Sequence, residues 1–163
     1  MDKLIYSLYR NGYNIITALT NIFAILPYAV ASYYGDDITC TFIALAAISS
    51  SISHLFMSHK HGLPGFGFYY ESSKILDLID VICTTLLVMR ILHILHPHLL
   101  QLQNEYFFMT SLLSAFICYI FGCISRLDTS FSTRKRYVIC HNIWHVGIFT
   151  TLWYFLSNYY LTV

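Results

Sequence analysis

Four long windows of the sequence contain no Asp, Glu, Lys or Arg, and these windows limit what the chain can fold into. They cover residues 11–35, 38–59, 106–125 and 137–163. A helix needs about 20 consecutive apolar residues to cross a bilayer. Inside lipid, only helices and closed barrels satisfy their own backbone hydrogen bonds. Each window is therefore long enough to form a transmembrane helix.

The composition supports a membrane protein. Charged residues make up 10% of the 163 residues and hydrophobic residues 57%, and the mean hydropathy is +0.61. An ordinary soluble domain has about 25% charged residues, and one of this size cannot bury so large an apolar fraction. This composition argues against a disordered chain, a disulfide-stapled secreted domain and a nucleic-acid-binding module.

A fifth apolar segment, residues 75–95, contains Asp77, Asp80 and Arg90. Arg90 lies near one end of this segment, where its side chain can reach the membrane surface. We therefore predict an all-α integral membrane protein, a single transmembrane domain over residues 1–163. It would be a bundle of about five transmembrane helices. The expected spans are about 13–34, 38–59, 75–95, 106–125 and 138–158.

The basic residues predict how this bundle is oriented. With five spans, the amino terminus and the loops after the second and fourth spans lie on one side of the membrane. That side carries eight basic residues, whereas the other side has Arg90 alone. The eight are Lys3, Arg10, Lys60, Lys74, Arg126, Arg134, Lys135 and Arg136. Because basic residues accumulate on the cytoplasmic side, the amino terminus is expected in the cytoplasm.

Five ionisable residues inside the spans mark a candidate site, because such residues are costly in a membrane and are usually functional. They are His54 near the end of the second span, Asp77 and Asp80 near the start of the third, and His141 and His145 near the start of the last. Neighbouring spans run in opposite directions, so all five are expected close to the cytoplasmic surface.

His141 and His145 are four residues apart, which places both imidazoles on one face of a helix. This spacing suits two ligands of one metal ion, with His54 as a third. Three histidines and a water describe a catalytic Zn²⁺ site, in which zinc lowers the pKa of the water to about 7. Asp77 or Asp80 would accept a proton, and Ser50 would orient a ligand or stabilise an oxyanion.

Simpler interpretations remain open for each residue. The histidines could be packed and hydrogen-bonded without a metal. Asp77 could pair with Lys74 or interact with the positive end of its helix. Ser50 could be a small residue at a helix contact, like its neighbours Ser49 and Ser51.

The motifs Ser50-Ser51-Ile52-Ser53-His54, Ile75-Leu76-Asp77 and His141-Asn142-Ile143-Trp144-His145 resemble those of the CREST superfamily. This group includes alkaline ceramidases, progestin and adipoQ receptors, Per1-type proteins and myomaker-like proteins. The resemblance implies that the three histidines hold zinc, that Asp77 assists the metal-bound water and that Ser50 supports the site. The family usually has seven spans, so this chain would be a shortened member.

We therefore expect a zinc-dependent hydrolase that cleaves an amide bond, as in ceramide, or an acyl-ester bond of a membrane lipid. One alternative is a non-enzymatic receptor or fusion-type protein with a structural zinc. A further alternative is an electron carrier in which His54 and one of the other two histidines are the axial ligands of a haem.

Overall fold

The computed structural model describes residues 12, 14–56, 70–96, 105–126 and 133–162. All of them are helical except the turn at 34–36 and residue 96. The first helical segment starts at residue 14 and contains a 3₁₀ turn, Thr20–Ala24, before helix α1. The helices are α1 (Ile25–Tyr33), α2 (Asp37–Phe56), α3 (Tyr70–Leu95), α4 (Glu105–Arg126) and α5 (Thr133–Thr162). The fold is therefore all-α, as predicted.

Three helical stretches are long and apolar enough to cross a membrane. They are Asn14–Tyr33, Asp37–Phe56 and Lys74–Leu95, and they correspond to the first three predicted spans. Helix α4 contains a shorter apolar stretch, Met109–Cys123. Helix α5 extends beyond the predicted span of 138–158 at both ends, because its basic first turn at 133–136 and residues 159–162 are also helical.

The 3₁₀ turn of the first segment has a physical cause in Pro27. Proline has no N–H to donate to the carbonyl four residues earlier, and its ring clashes with that carbonyl. The carbonyl affected here belongs to Phe23, inside the turn Thr20–Ala24. A local 3₁₀ turn changes which side chains face the protein interior. As a result, Asn21 and Ala24 are buried while Ile22 is exposed.

A tight turn joins α1 to α2. Gly35 has a positive φ of 71°, a conformation that glycine adopts without strain. The Gly35 N–H donates to the carbonyl of Ser32, and the Asp36 N–H donates to the carbonyl of Ala31. This pair of bonds is the Schellman motif that ends many helices. Asp36 then caps α2, because its Oδ1 accepts the N–H of Thr39 at 3.0 Å.

The helices form two groups with the first segment between them. Helix α2 packs against α3, and α4 packs against α5, while α1 and its 3₁₀ turn contact both α2 and α5. Helices α4 and α5 approach so closely at Gly147 that a side chain at this position would collide with Cys118. Among the described residues, α3 makes no close backbone approach to α4 or α5. A cavity of about 290 Å³ separates them.

Candidate metal centre

Three histidines from two helices meet inside the protein. His54 lies near the end of α2, and His141 and His145 lie one turn apart near the start of α5. Their side chains are buried, with 7%, 4% and 5% of their surface exposed. The ring centroids are 4.6–5.0 Å apart. The structure therefore brings together the three residues that the sequence predicted as metal ligands.

The nitrogen atoms of these rings are close enough for a shared ion. Nε2 of His54 lies 3.1 Å from Nε2 of His141, and one ligand nitrogen from each of the three residues falls within 4.8 Å of the others. Two nitrogens bound to one zinc at 2.0–2.1 Å in tetrahedral geometry are about 3.3 Å apart. The His54–His141 separation matches this value, so the buried cluster could hold a metal ion.

The hydrogen bonds of Thr20 determine which nitrogen of His145 is available as a ligand. The Thr20 hydroxyl donates its one hydrogen to the carbonyl of Thr17 at 2.6 Å. It lies 3.0 Å from Nδ1 of His145 and can only accept there, so Nδ1 of His145 carries the proton. The Nε2 lone pair is then free to bind a metal, and such an outer hydrogen bond is what metal-bound histidines usually have.

An apolar cavity opens beside His145, one of the three histidines. Polar side chains of Asn21, Ser50, Asp80 and His145 form part of its wall. The rest of the wall is mainly aliphatic and aromatic, from α3 on one side and from α4 and α5 on the other. Its volume of about 290 Å³ is near the lower end of the range for small-molecule sites. The histidine centre is therefore next to a space suited to an apolar chain.

The two aspartates predicted as candidate acid/base residues occupy different positions. Asp80 lines the cavity. The Ser49 hydroxyl shares its one hydrogen between the carbonyl of Ala46 at 3.2 Å and Oδ1 of Asp80 at 3.3 Å. Asp77 lies on an exposed part of α3 and does not line this cavity. Ser50 is buried and lines the cavity. The structure therefore places Asp80 and Ser50, but not Asp77, on the cavity wall beside His145.

A second polar network lies at the opposite end of the same helices. Arg90 of α3 donates from Nη2 to Asp36 Oδ2 at 2.9 Å and from Nε to Thr39 Oγ1 at 3.0 Å. The hydroxyls of Thr39 and Tyr160 both donate to Asp36 Oδ2. Burial raises the pKa of Asp36, but the hydrogen bonds from Thr39, Tyr160 and Arg90 outweigh it and hold the pKa at about 2.

This network is roughly 22 Å from the histidines along α2, given the rise of 1.5 Å per residue between Thr39 and His54. Arg90 was predicted to lie where its side chain can reach the membrane surface, and its guanidinium pairs with Asp36 in the turn between the first two apolar stretches. The network ties the turn after α1 to α3 and α5, so it serves the fold and not the metal centre.

Sequence reasoning did not identify Thr20 and Asn21 as residues of the site. Both lie in the first charge-free window, which was interpreted only as a membrane span. The search considered ionisable side chains, and these two are neutral. A usable signal was present, because Pro27 predicts that the helix is disturbed near residue 23, directly after these two polar residues.

The comparisons with known proteins identify one relative of this chain. The uncharacterized protein L282 of Acanthamoeba polyphaga mimivirus is 33% identical over 149 residues, which is 89% of this chain and 97% of the viral protein. The chain belongs to the same family as this mimivirus protein. No protein family model and no solved structure matches the chain.

Proposed function

We propose that the protein is a zinc-dependent membrane hydrolase that cleaves an amide or acyl-ester bond of a lipid. The observation that carries this proposal is the buried cluster of His54, His141 and His145, of which His145 lines an apolar cavity. A lipid chain would lie in the cavity between α3 and the α4–α5 pair. Its carbonyl group would then be next to the histidines.

Zinc is the metal that best suits this donor set, because three neutral imidazoles bind it in many catalytic sites. When bound, zinc polarises a carbonyl and lowers the pKa of a water to about 7. Structural zinc sites use four protein ligands. Among the described residues, only the three histidines form a group that could hold a metal. Three histidine ligands would leave the fourth coordination position of zinc for water or substrate. This arrangement favours an enzyme over a receptor or fusion-type protein with structural zinc.

The haem alternative does not suit this geometry. Two axial histidines bind a haem from opposite faces of a flat macrocycle. Nε2 of His54 and Nε2 of His141 are 3.1 Å apart, which leaves no room for a macrocycle between these two rings. His145 is in contact with both of them. The cluster is therefore better suited to a single small cation.

Within the site, we assign proton transfer to Asp80. Asp80 lines the cavity that His145 also lines, and its Oδ1 lies 3.3 Å from the Ser49 hydroxyl. A general base must reach the reacting atoms through a hydrogen bond or one water. Asp77 lies on an exposed part of the same helix. Ser50, on the cavity wall, would donate a hydrogen bond to the developing oxyanion.

Comparing Asp80→Asn with Asp77→Asn tests this assignment. Asp80→Asn should keep the zinc and lower kcat for lipid hydrolysis about 10²–10⁴-fold, the usual contribution of a general base. Asp77→Asn is the matched control and should keep turnover within about threefold of the wild type. Zinc would be measured by elemental analysis and products by mass spectrometry of a lipid panel. Loss of activity in Asp77→Asn alone would contradict the assignment, and no hydrolysis by the wild type would favour a structural zinc.

We also propose that α4 and α5 cross the membrane, which gives five spans with the amino terminus and metal centre towards the cytoplasm. The polar contacts support alternating helix directions. Thr20, His54 and His145 meet at one end of the bundle, while Asp36, Arg90 and Tyr160 meet at the other. The chain would then be a shortened relative of the CREST superfamily, with the site formed by fewer helices.

A further inference from the structure

Trp144 is an aromatic side chain of α5 that contacts two of the three histidines. Its ring centroid lies 5.1 Å from that of His141, with the two ring planes at 71°. The ring centroid of His145 lies 5.5 Å away, with the planes at 49°. The first of these is an edge-to-face contact, which aromatic rings favour. Trp144 also lines the apolar cavity, so it is both a neighbour of the proposed ligands and part of the cavity wall.

Gly122 is the residue of α4 that meets this indole. It is buried, and a Cβ atom at this position would lie 3.2 Å from Cδ2 and 3.3 Å from Cε2 and Cγ of Trp144. Carbon atoms in favourable contact are about 3.5–4.0 Å apart. A methyl group at 122 would therefore have to displace the indole by a few tenths of an ångström. Glycine is what lets Trp144 lie this close to α4.

The two glycines between α4 and α5 have different neighbours. Gly147 of α5 faces the side chain of Cys118 on α4. By contrast, Gly122 faces a side chain that is itself in contact with His141 and His145. Glycine is less favourable than alanine inside a helix, so its presence at 122 needs a packing reason. The indole supplies that reason, and it links the position of α4 to the two histidines.

We infer that Trp144 is a positioning residue of the metal centre and that Gly122 holds it in place, so that α4 supports the metal without supplying a ligand. The inference rests on the part of the proposed function that puts a metal ion between the three histidines, and it does not require lipid hydrolysis. A metal site needs ligands whose rotamers are fixed by packing as well as by hydrogen bonds. The contact with Thr20 orients the ring of His145, and packing against the indole restricts the rings of both His145 and His141.

Cobalt(II) is a suitable probe, because the visible absorption spectrum of the bound ion depends on the number and geometry of its ligands. The full-length protein in detergent would be titrated with Co²⁺ in competition with a chelator. Gly122→Ala should weaken Co²⁺ binding about tenfold, as other changes behind a metal ligand do, and should alter the spectrum of the bound ion. A purely structural contact would change the unfolding temperature of the metal-free protein and leave this spectrum as in the wild type.

A double-mutant cycle tests whether the effect passes through the indole. Trp144→Ala should itself weaken Co²⁺ binding about tenfold. Adding Gly122→Ala to it should cost less than about twofold more, because the methyl group then has nothing to displace. Trp153→Ala is the matched control, since Trp153 lies further along α5 and is 43% exposed. Gly122→Ala should keep its full effect in the Trp153→Ala background.

A conservative variant separates the ring from the rest of the side chain. Trp144→Phe keeps an aromatic ring beside the histidines and should bind Co²⁺ within about threefold of the wild type. Trp144→Phe and Trp144→Ala keep the inference testable even if Gly122→Ala fails to fold, because both substitutions make the side chain smaller and differ in whether a ring is present.

The inference is wrong if Gly122→Ala binds Co²⁺ with the affinity and spectrum of the wild type, if it causes the same loss with and without the indole, or if Trp144→Ala binds Co²⁺ like the wild type. A wild type that binds no Co²⁺ would contradict the metal centre itself, and the inference with it. If Co²⁺ binding depends on Gly122 and Trp144 as expected but no lipid is hydrolysed, the hydrolase proposal fails and the positioning role stands.

Discussion

The hydroxyl of Thr20 has a single hydrogen, which it donates to the carbonyl of Thr17. It therefore accepts from Nδ1 of His145 and leaves Nε2 of that ring for a metal. The i, i+4 spacing of His141 and His145 was visible in the sequence, because helix geometry alone puts the two rings on one face. The contact between Thr20 and His145 could not be predicted from the sequence, since it joins residues 125 positions apart.

At this scale we predict that Thr20→Val weakens zinc binding. Valine has nearly the same shape but cannot accept the Nδ1 hydrogen, so the ring of His145 loses the bond that orients it. Removing such an outer partner usually costs 10–100-fold in metal affinity. The dissociation constant for zinc would be measured by competition with a chelator.

Two controls accompany the Thr20 variant. Thr20→Ser keeps the hydroxyl and should bind zinc like the wild type. Thr41→Val removes a hydroxyl that bonds only within α2, at an exposed position, and should also leave zinc affinity unchanged. Equal zinc affinity in Thr20→Val and the wild type would show that Thr20 does not orient the ring.

At the scale of elements, the connection between α1 and α2 shows what apolar windows can and cannot predict. The expected spans 13–34 and 38–59 left residues 35–37 as the connection between them. The pairing of Asp36 with Arg90 and Tyr160 was not predicted, because it depends on how α3 and α5 end relative to that turn. Asp80 could not be chosen over Asp77 for the same reason, since both lie at the start of one apolar helix.

This network should make stability depend on pH. The fold holds the pKa of Asp36 at about 2, below the ordinary value of 3.8. A lowered pKa means that the carboxylate stabilises the fold above about pH 4, and that this contribution disappears as the pH falls towards 2. We expect it to be about 1–2 kcal/mol, since the pair is partly exposed to solvent.

Asp36→Asn should therefore be less stable than the wild type at neutral pH and should lose less stability between about pH 4 and pH 2. Thermal unfolding in detergent across this range would measure both effects. Asp37→Asn is the matched control, because Asp37 is the next residue and is exposed. The same loss of stability with falling pH in Asp36→Asn and the wild type would contradict this role for the network.

At the scale of the whole molecule, composition alone predicted an integral membrane protein. The structure contains three helices that are long and apolar enough to cross a membrane. The number of spans depends on α4 and α5, and the number in turn determines where the termini lie. Thr20 in the first segment and His145 near the start of α5 meet at one end of the bundle, while Asp36 after the first segment and Tyr160 near the end of α5 meet at the other. The first segment and α5 therefore run in the same direction, so an odd number of spans is expected.

Epitope tags at the two termini test this topology. With five spans and the positive side inside, a tag at the amino terminus should bind antibody only after the membrane is permeabilised. A tag at the carboxyl terminus should bind antibody on intact cells, or be protected inside sealed vesicles if the protein resides in an internal membrane. Termini on the same side would contradict the five-span arrangement.

The central claim is that His54, His141 and His145 bind one metal ion, and elemental analysis of the protein purified without chelator tests it most directly. The account predicts about one equivalent of zinc per chain. His54→Ala, His141→Ala and His145→Ala should each reduce this to less than about a tenth, because the remaining two imidazoles bind zinc weakly. His93→Ala, on α3 outside the cluster, should keep the full equivalent. Wild-type protein with less than about a tenth of an equivalent of zinc would contradict the claim.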